Sequence, residues 1–424
     1  MRSVSTARQG WKGGTGAWRV VAVLGGALGL VACLLWGLRA DAPTHAAGAA
    51  SRSASGVLSA TAAYTAYMPV VARDFEWRLD PDDPMFVAGQ QWALEKVRAP
   101  AAWYDSKGYA VTVAVVDTGV DLDHPDLVDS LWVNRGEVVG NGDDDDNNGY
   151  VDDVYGWDYV DDDGEPRDAH GHGTHVAGIV GAMTDNGVGV AGMGWGVTVM
   201  SIRALDEMGN GSDWDVAQGI RYAVDNGAKV VNLSLGAGSG SQNLAEAVQY
   251  AQDKGALVVA AAGNWNVSYP FYPAAYGGVI GVSATDANDQ KASFSNYGSY
   301  VDIAAPGVSI LSTKPFPIDY ATMNGTSMAT PMISGLAALL WTKYPSATSD
   351  QVWTAIRIGA EDLGSPGWDA YFGWGRINAA NSLGGGSIAG DQAQRAGPCA
   401  TDPLTHTALL PVEFRSGEVI VSVS

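Results

Sequence analysis

The sequence predicts an α/β fold: a doubly wound, mostly parallel sheet with helices on both faces, a short N-terminal export segment before it and a C-terminal tail after it. Two observations carry this reading. Short runs rich in β-branched residues recur at Val111–Val116, Val197–Ile202, Val230–Leu235, Leu257–Ala261 and Val279–Val282. Stretches of helical period or composition accompany them at Asp213–Asn226, Asn243–Lys254, Thr326–Tyr344 and Ser349–Ile358. Strands that are apolar throughout belong in a parallel sheet covered on both faces. Such sheets bind ligands at the C-terminal ends of their strands, so chemistry is sought there.

Composition narrows the function classes. Of 424 residues, 46% are apolar and 17% charged, enough for a sizeable core and unlike a disordered chain. The 55 glycines follow no G-X-Y period, which excludes collagen. With 46 acids against 24 bases the formal charge is −22, which argues against a nucleic-acid partner. Two cysteines, Cys33 and Cys399, make neither a disulfide framework nor a cysteine zinc site.

Residues 1–46 begin with Arg2, Arg8, Lys12 and Arg19, followed by the apolar run Val20–Leu38 and Arg39. A basic start before an apolar run reads as a cleaved export signal and a secreted product. The run is also long enough for an uncleaved membrane anchor, and Leu30-Val31-Ala32-Cys33 looks like a lipoprotein box. A membrane partner is expected only if this segment is retained. Residues 47–82 read as a linker or short pro-segment, 83–383 as the main α/β domain with an acidic insertion at 141–168, and 384–424 as a Gly-rich linker and tail. The tail holds one candidate strand, Glu418–Val423, and the sequence assigns it no function.

Three motifs carry the chemistry. Val113-Ala114-Val115-Val116-Asp117-Thr118-Gly119 is a buried strand ending on a carboxylate. His170-Gly171-His172-Gly173-Thr174-His175 is a Gly-spaced histidine cluster opening a helix, and Asn324-Gly325-Thr326-Ser327-Met328-Ala329-Thr330-Pro331 places a serine where a long apolar helix begins. Pro331 is expected in that helix's first turn, where a missing N–H costs nothing. Singly, these are a turn former, a cap and an N-cap. The histidines could also suggest metal, but the Gly spacers suit close backbone packing and no carboxylate follows at zincin spacing. Taken together, the order Asp, His, Ser differs from that of α/β-hydrolases and of chymotrypsin folds and is the subtilisin order.

On these motifs the chain resembles the subtilisin-like serine proteases, nearest the thermitase-like branch, over about residues 83–383. The resemblance implies a subtilisin-like fold and an endopeptidase acting on polypeptides, with a monomer expected. It implies Ser327 as nucleophile, His172 as general base, and Asp117 orienting His172 and stabilising its imidazolium form; an acyl-enzyme would form on Ser327. The chemistry needs this trio because a hydroxyl is a poor nucleophile until a base held in the right tautomer takes its proton. Asn264, after the strand Val259–Ala262, is implied as oxyanion donor, with the Ser327 N–H as the second. Ser234, Leu235 and Gly236 match the segment lining the primary specificity pocket, and Gly209, Asn210 and Gly211 match the segment that pairs with an extended substrate. Phe271 falls near the pocket floor and reads equally as a core aromatic.

The acid is concentrated. From Asp143 to Asp168 there are twelve acids and one base. Asp144, Asp146, Asn148, Tyr150, Asp152 and Asp153, with Gly149 at the sixth position, have the spacing of the opening half of an EF-hand calcium loop without its closing Glu. A second calcium site is implied by resemblance alone: side chains of Asp83, Asp126 and Asn186, with carbonyls of Met183, Val188 and Val190. Ca2+ is therefore the expected cofactor, structural rather than chemical. Two departures stand out. Met332 replaces the histidine common after the helix proline, and residues 47–82 are too short for the usual pro-domain. Rival readings are an inactive, calcium-stiffened binding module and an esterase using the same trio.

Overall fold

The structure is a computed structural model and describes residues 78–384 and 419–423. The export segment, most of residues 47–82, both cysteines and the Gly-rich linker lie outside the described residues.

Three short helices lead in: α1 (Pro84–Val87), α2 (Trp92–Lys96) and α3 (Ala99–Asp105). The strands are β1 (Thr112–Asp117), β2 (Gly156–Asp158), β3 (Thr198–Arg203), β4 (Asn210–Ser212), β5 (Val230–Leu233), β6 (Leu235–Gly236), β7 (Leu257–Ala261), β8 (Ile280–Thr285), β9 (Ile303–Pro306), β10 (Ile310–Thr313), β11 (Tyr320–Met323) and β12 (Ile420–Val423). The longer helices are α4 (His172–Gly181), α5 (Asp213–Asp225), α6 (Gln242–Asp253), α7 (Thr326–Lys343) and α8 (Ser349–Gly359), with the short α9 (Ala379–Gly384) after them.

Seven strands form one parallel sheet in the order β2-β3-β1-β5-β7-β8-β9. Its two faces follow from the period of two along each strand. Val113 and Val115 of β1 join a core with Val176 and Val180 of α4 and Leu336, Leu339 and Leu340 of α7. Ala114 and Val116 face the other way, into a core with Val216 and Ile220 of α5 and Leu244 and Val248 of α6. Helix α7 is buried from Thr326 through Trp341, as a helix under the centre of a sheet must be; truncating one of its leucines to Ala costs about 2–5 kcal/mol. The strand order reverses about β1, so the C-terminal ends of β1, β5 and β7 open at the switch point where such sheets place their sites.

The expected strands and helices form, with ends shifted by a few residues and one internal break. The run Val230–Leu235 is interrupted at Ser234, which leaves the ladder to bond α7. Pro331 is the sixth residue of α7 and not in its first turn, contrary to expectation. In a regular helix the missing N–H at 331 would strand the Ser327 carbonyl; here that carbonyl accepts from Ser234 Oγ at 2.9 Å. Beyond the main sheet, β10 and β11 form an antiparallel hairpin, and β4, β12 and β6 form a small antiparallel sheet.

Candidate active site

Asp117 closes β1 and is wholly buried. Its Oδ1 accepts from the Thr118 N–H at 2.8 Å and lies 2.7 Å from His172 Nδ1. His172 is the first residue of α4, and the chain enters that helix through Gly171 in a left-handed conformation, φ +89°. A Cβ on Gly173 would stand 2.1 Å from the Gly119 carbonyl oxygen. The Gly spacers are thus what lets α4 approach the end of β1, as the motif suggested. The flanking histidines have other surroundings. His175 Nε2 sits 3.1 Å and 3.0 Å from the Ile310 and Ala321 carbonyls, tying α4 to the hairpin. Burial pushes its pKa down to about 3; burial and the neighbouring His172 lower that of His170.

A residue the sequence reading passed over fixes this corner. Asp168 Oδ1 accepts from Thr118 Oγ1, His170 N–H and Gly171 N–H at 2.8, 2.9 and 2.6 Å; its Oδ2 accepts from the Thr174 N–H and hydroxyl. Thr118 Oγ1 in turn accepts from the Gly173 N–H at 2.9 Å. A carboxylate at a helix start satisfies its free N–H groups and favours its dipole. Here it also joins the helix carrying His172 to the strand carrying Asp117.

Ser327 is the second residue of α7 and fully buried. Its hydroxyl donates to the Ser234 carbonyl at 3.0 Å and not to His172; catalytic hydrogen bonds of this kind commonly tighten only with substrate in place. Ser234 Oγ accepts from Asn232 Nδ2 at 3.0 Å, and Asn232 Oδ1 accepts from Ser334 Oγ at 2.8 Å. This chain of bonds pins the start of α7 to the end of β5. Asn264 follows β7. Its Oδ1 accepts from the Thr326 N–H at 2.9 Å and the Thr326 hydroxyl at 3.1 Å, leaving its NH2 to donate. Buried Asn296, also absent from the sequence reading, clamps the Asn264 turn through Ala262 O and the N–H groups of Trp265 and Val267.

Of the predicted substrate segments, Gly209, Asn210 and Gly211 lie at and just before β4, and Leu235 and Gly236 form β6, with Ser234 beside them. Both strands pair with β12. A Cβ on Gly211 would lie 2.1 Å from the Ala204 carbonyl oxygen, so only Gly permits that path. Phe271 has the surroundings of a core aromatic. It is buried, stacked edge-on to Trp265 at 5.0 Å, and wedged where a Cβ on Gly236 would come within 2.4 Å of its ring and one on Gly263 within 3.0 Å.

The predicted metal ligands form two groups. Asn186 Nδ2 donates to Asp126 Oδ1 at 2.9 Å, the Val190 N–H to Asp126 Oδ2 at 2.8 Å, and the Met183 N–H to the Asp126 carbonyl at 2.8 Å. Asp83 accepts from the Asp185 and Asn186 N–H groups. Val188 donates its N–H to Asn186 Oδ1 at 2.7 Å. Both carboxylates are fully buried; burial raises the pKa of Asp83 and lifts that of Asp126 to about 6. In the insertion, carboxylate oxygens of Glu137, Asp146 and Asp153 lie within 4.8 Å of one another, an acidic cluster that can hold a metal ion. Asn148 donates to both Asp146 and Asp153. Asp144 accepts from the Asn148 and Gly149 N–H groups, and Asn148 Oδ1 from the Tyr150 N–H. The Asp152 carboxylate takes the N–H groups of Gly140, Asn141 and Gly142. Glu137, before the loop in sequence, is the third carboxylate in the cluster.

With this geometry in place, the model of the subtilase family matches residues 108–375, more than half of the chain. The chain is a subtilase. Among its relatives, thermitase from Thermoactinomyces vulgaris is 44% identical, covering 70% of this chain and 97% of the relative. The thermophilic serine proteinase of Bacillus sp. strain AK1 is 43% identical over 72% of this chain and 69% of its own length, and subtilisin Savinase of Lederbergia lenta 40% over 68% and 96%. This subtilase is accordingly a subtilisin-like serine endopeptidase of the Asp-His-Ser type, and its substrates are polypeptides. Among the described residues, no helix is long and apolar enough to cross a membrane.

Proposed function

We propose that the subtilase cleaves peptide bonds through an acyl-enzyme on Ser327. His172 takes the hydroxyl proton as Ser327 Oγ attacks the carbonyl carbon, and returns it to the departing amine. Asp117 keeps the His172 Nδ1–H oriented and stabilises the imidazolium. Asn264 Nδ2–H and the Ser327 N–H donate to the oxygen that becomes negative. Water, activated by the same histidine, then releases the acyl group. The observation that carries this is the anchoring of Asn264 Oδ1 on Thr326, which holds the amide's acceptor end on the residue next to the nucleophile and leaves its NH2 end to donate. An extended substrate strand adds to β4 and β6 with little demand on sequence, and Phe271 restricts the primary pocket to small side chains.

Calcium is the proposed ion at both acidic sites. The donor set is all oxygen, which suits a hard cation and offers nothing to a soft one. Glu137, Asp146 and Asp153, with Asp144 and Asn148, would hold one ion; Asp83, Asp126 and Asn186, with carbonyls of Met183, Val188 and Val190, the other. The ion would supply charge balance and stiffness, not chemistry. The product is read as a secreted monomer. Casein hydrolysis with calcium present, by native protein and Ser327→Ala, tests the assignment. Activity lost only in the variant supports it. Retained activity in the variant defeats it, and folded native protein inert on casein favours the binding-module reading.

A further inference from the structure

Strand β12 adds nothing to the main sheet. It lies between β4 and β6, antiparallel to both: Ile420, Val421 and Ser422 face Ser212, Gly211 and Asn210, while Ser422 and Val423 face Gly236 and Leu235. The Val423 N–H donates to the Gly209 carbonyl at 3.1 Å. At the other end, Val419 exchanges two hydrogen bonds with Asp213, its carbonyl accepting from the N–H at 2.8 Å and its N–H donating to Oδ1 at 3.0 Å. The side chains alternate as in any added strand: Val421 is fully buried, whereas Ile420 is 61% exposed. Val421 shares a core with Leu205 and Leu235.

We infer that residues 419–423 are a built-in ligand of the substrate cleft, a segment of the chain that mimics substrate and must leave before a polypeptide can bind. This rests on the proposed role of β4 and β6 as the substrate-pairing edges. Only one strand fits between those edges, because β12 uses the inward N–H and C=O groups of both. Direction supports the reading. Leu235, which faces Val423, adjoins Ser234, whose carbonyl holds the Ser327 hydroxyl. The segment therefore advances N to C toward the nucleophile, as do the residues before a scissile bond. The sequence between Gly384 and Val419 is 34 residues, a tether that spans up to roughly 110 Å when extended. An effective concentration of about a millimolar suffices for a tethered ligand of modest affinity. A peptide that binds with a Kd of about 0.1 mM is then bound roughly nine-tenths of the time.

The test compares the full chain with a chain ending at Gly384 and with full-length Val421→Asp. The readout is initial-rate hydrolysis of a short chromogenic peptide, normalised to sites labelled by a fluorophosphonate and checked for intact mass. The shortened chain and Val421→Asp should each be roughly tenfold faster per labelled site. The synthetic peptide Glu-Val-Ile-Val-Ser-Val-Ser should return the shortened chain to the slow rate competitively, and its Asp variant should not. Equal rates for all three chains, with no effect of the peptide, overturn the inference. Amide exchange on Ser327→Ala separates the two readings without using activity. Protection at residues 209–212 lost on shortening supports docking of the tail even if no form hydrolyses peptide, in which case the endopeptidase assignment is what fails. Unchanged protection overturns the docking.

Discussion

The catalytic end of the sheet and the acidic loop each gather polar groups into a cluster, buried at the first and partly exposed at the second, and they balance charge differently. At the ends of β1, β5 and β7 there is one buried carboxylate, Asp117, and a histidine lies directly against it. The partners around them are neutral hydroxyls, amides and backbone groups, apart from Asp168, whose charge is met by helix N–H groups, and Lys314, whose Nζ donates to the Gly171 carbonyl at 2.9 Å. In the insertion three carboxylates converge on one another, and the groups that hold them, Asn134, Asn148, Tyr222 and backbone N–H, are neutral donors. A site of the first kind is complete in the protein alone. One of the second kind keeps its like charges together only at a cost that a cation removes.

That difference can be broken at either end. The largest effect is expected from His172→Ala, which should lower kcat on a peptide ester or amide by on the order of 10⁶, with the melting temperature nearly unchanged. Asn264→Ala removes one oxyanion donor and should cost roughly 10²–10³ in kcat with little change in KM. A fall in KM-dependent binding alone would place Asn264 in recognition instead.

Calcium withdrawal acts at the other region. Loss of an ion present at about 100 times its Kd removes about 2.7 kcal/mol, so chelation should lower the melting temperature by on the order of 5 °C. Glu137→Gln should shrink that shift while sparing the rate per active site at saturating calcium. No shift on chelation would contradict the cation reading.

The smallest effect concerns His175. In the fold it stays neutral down to about pH 3, while an unperturbed histidine protonates near 6.5. The unfolded chain therefore binds the extra proton between those values, and stability is lost as pH falls below about 6.5, by at most about 1.4 kcal/mol per pH unit. Denaturant midpoints from pH 7 to 5 should fall less steeply in His175→Gln.

Much of this was legible in the residues. β-branched runs gave the strands because both faces of the sheet are buried, and Asp117, His172, Ser327 and Asn264 sat in motifs long enough to be specific. What escaped was held by non-local bonds. Asp168 reads as one more acid in an acidic stretch, and only the fold brings Thr118 and the start of α4 onto it. Glu137 precedes the calcium-like spacing and joins it by a turn of the chain. Pro331 seemed to require a first turn, because nothing local announces that Ser234 takes over its missing bond. The strand near the C-terminus was expected, but its place between β4 and β6 is set by pairing partners some two hundred residues away.

The central claim is that Ser327 is the nucleophile, activated by His172. The most direct measurement labels the full chain to completion with a fluorophosphonate and maps the adduct by peptide mass spectrometry, beside His172→Ala. The account predicts a single adduct on Ser327 and none in the variant over the same time. An adduct on another serine, or equal labelling without His172, would contradict it.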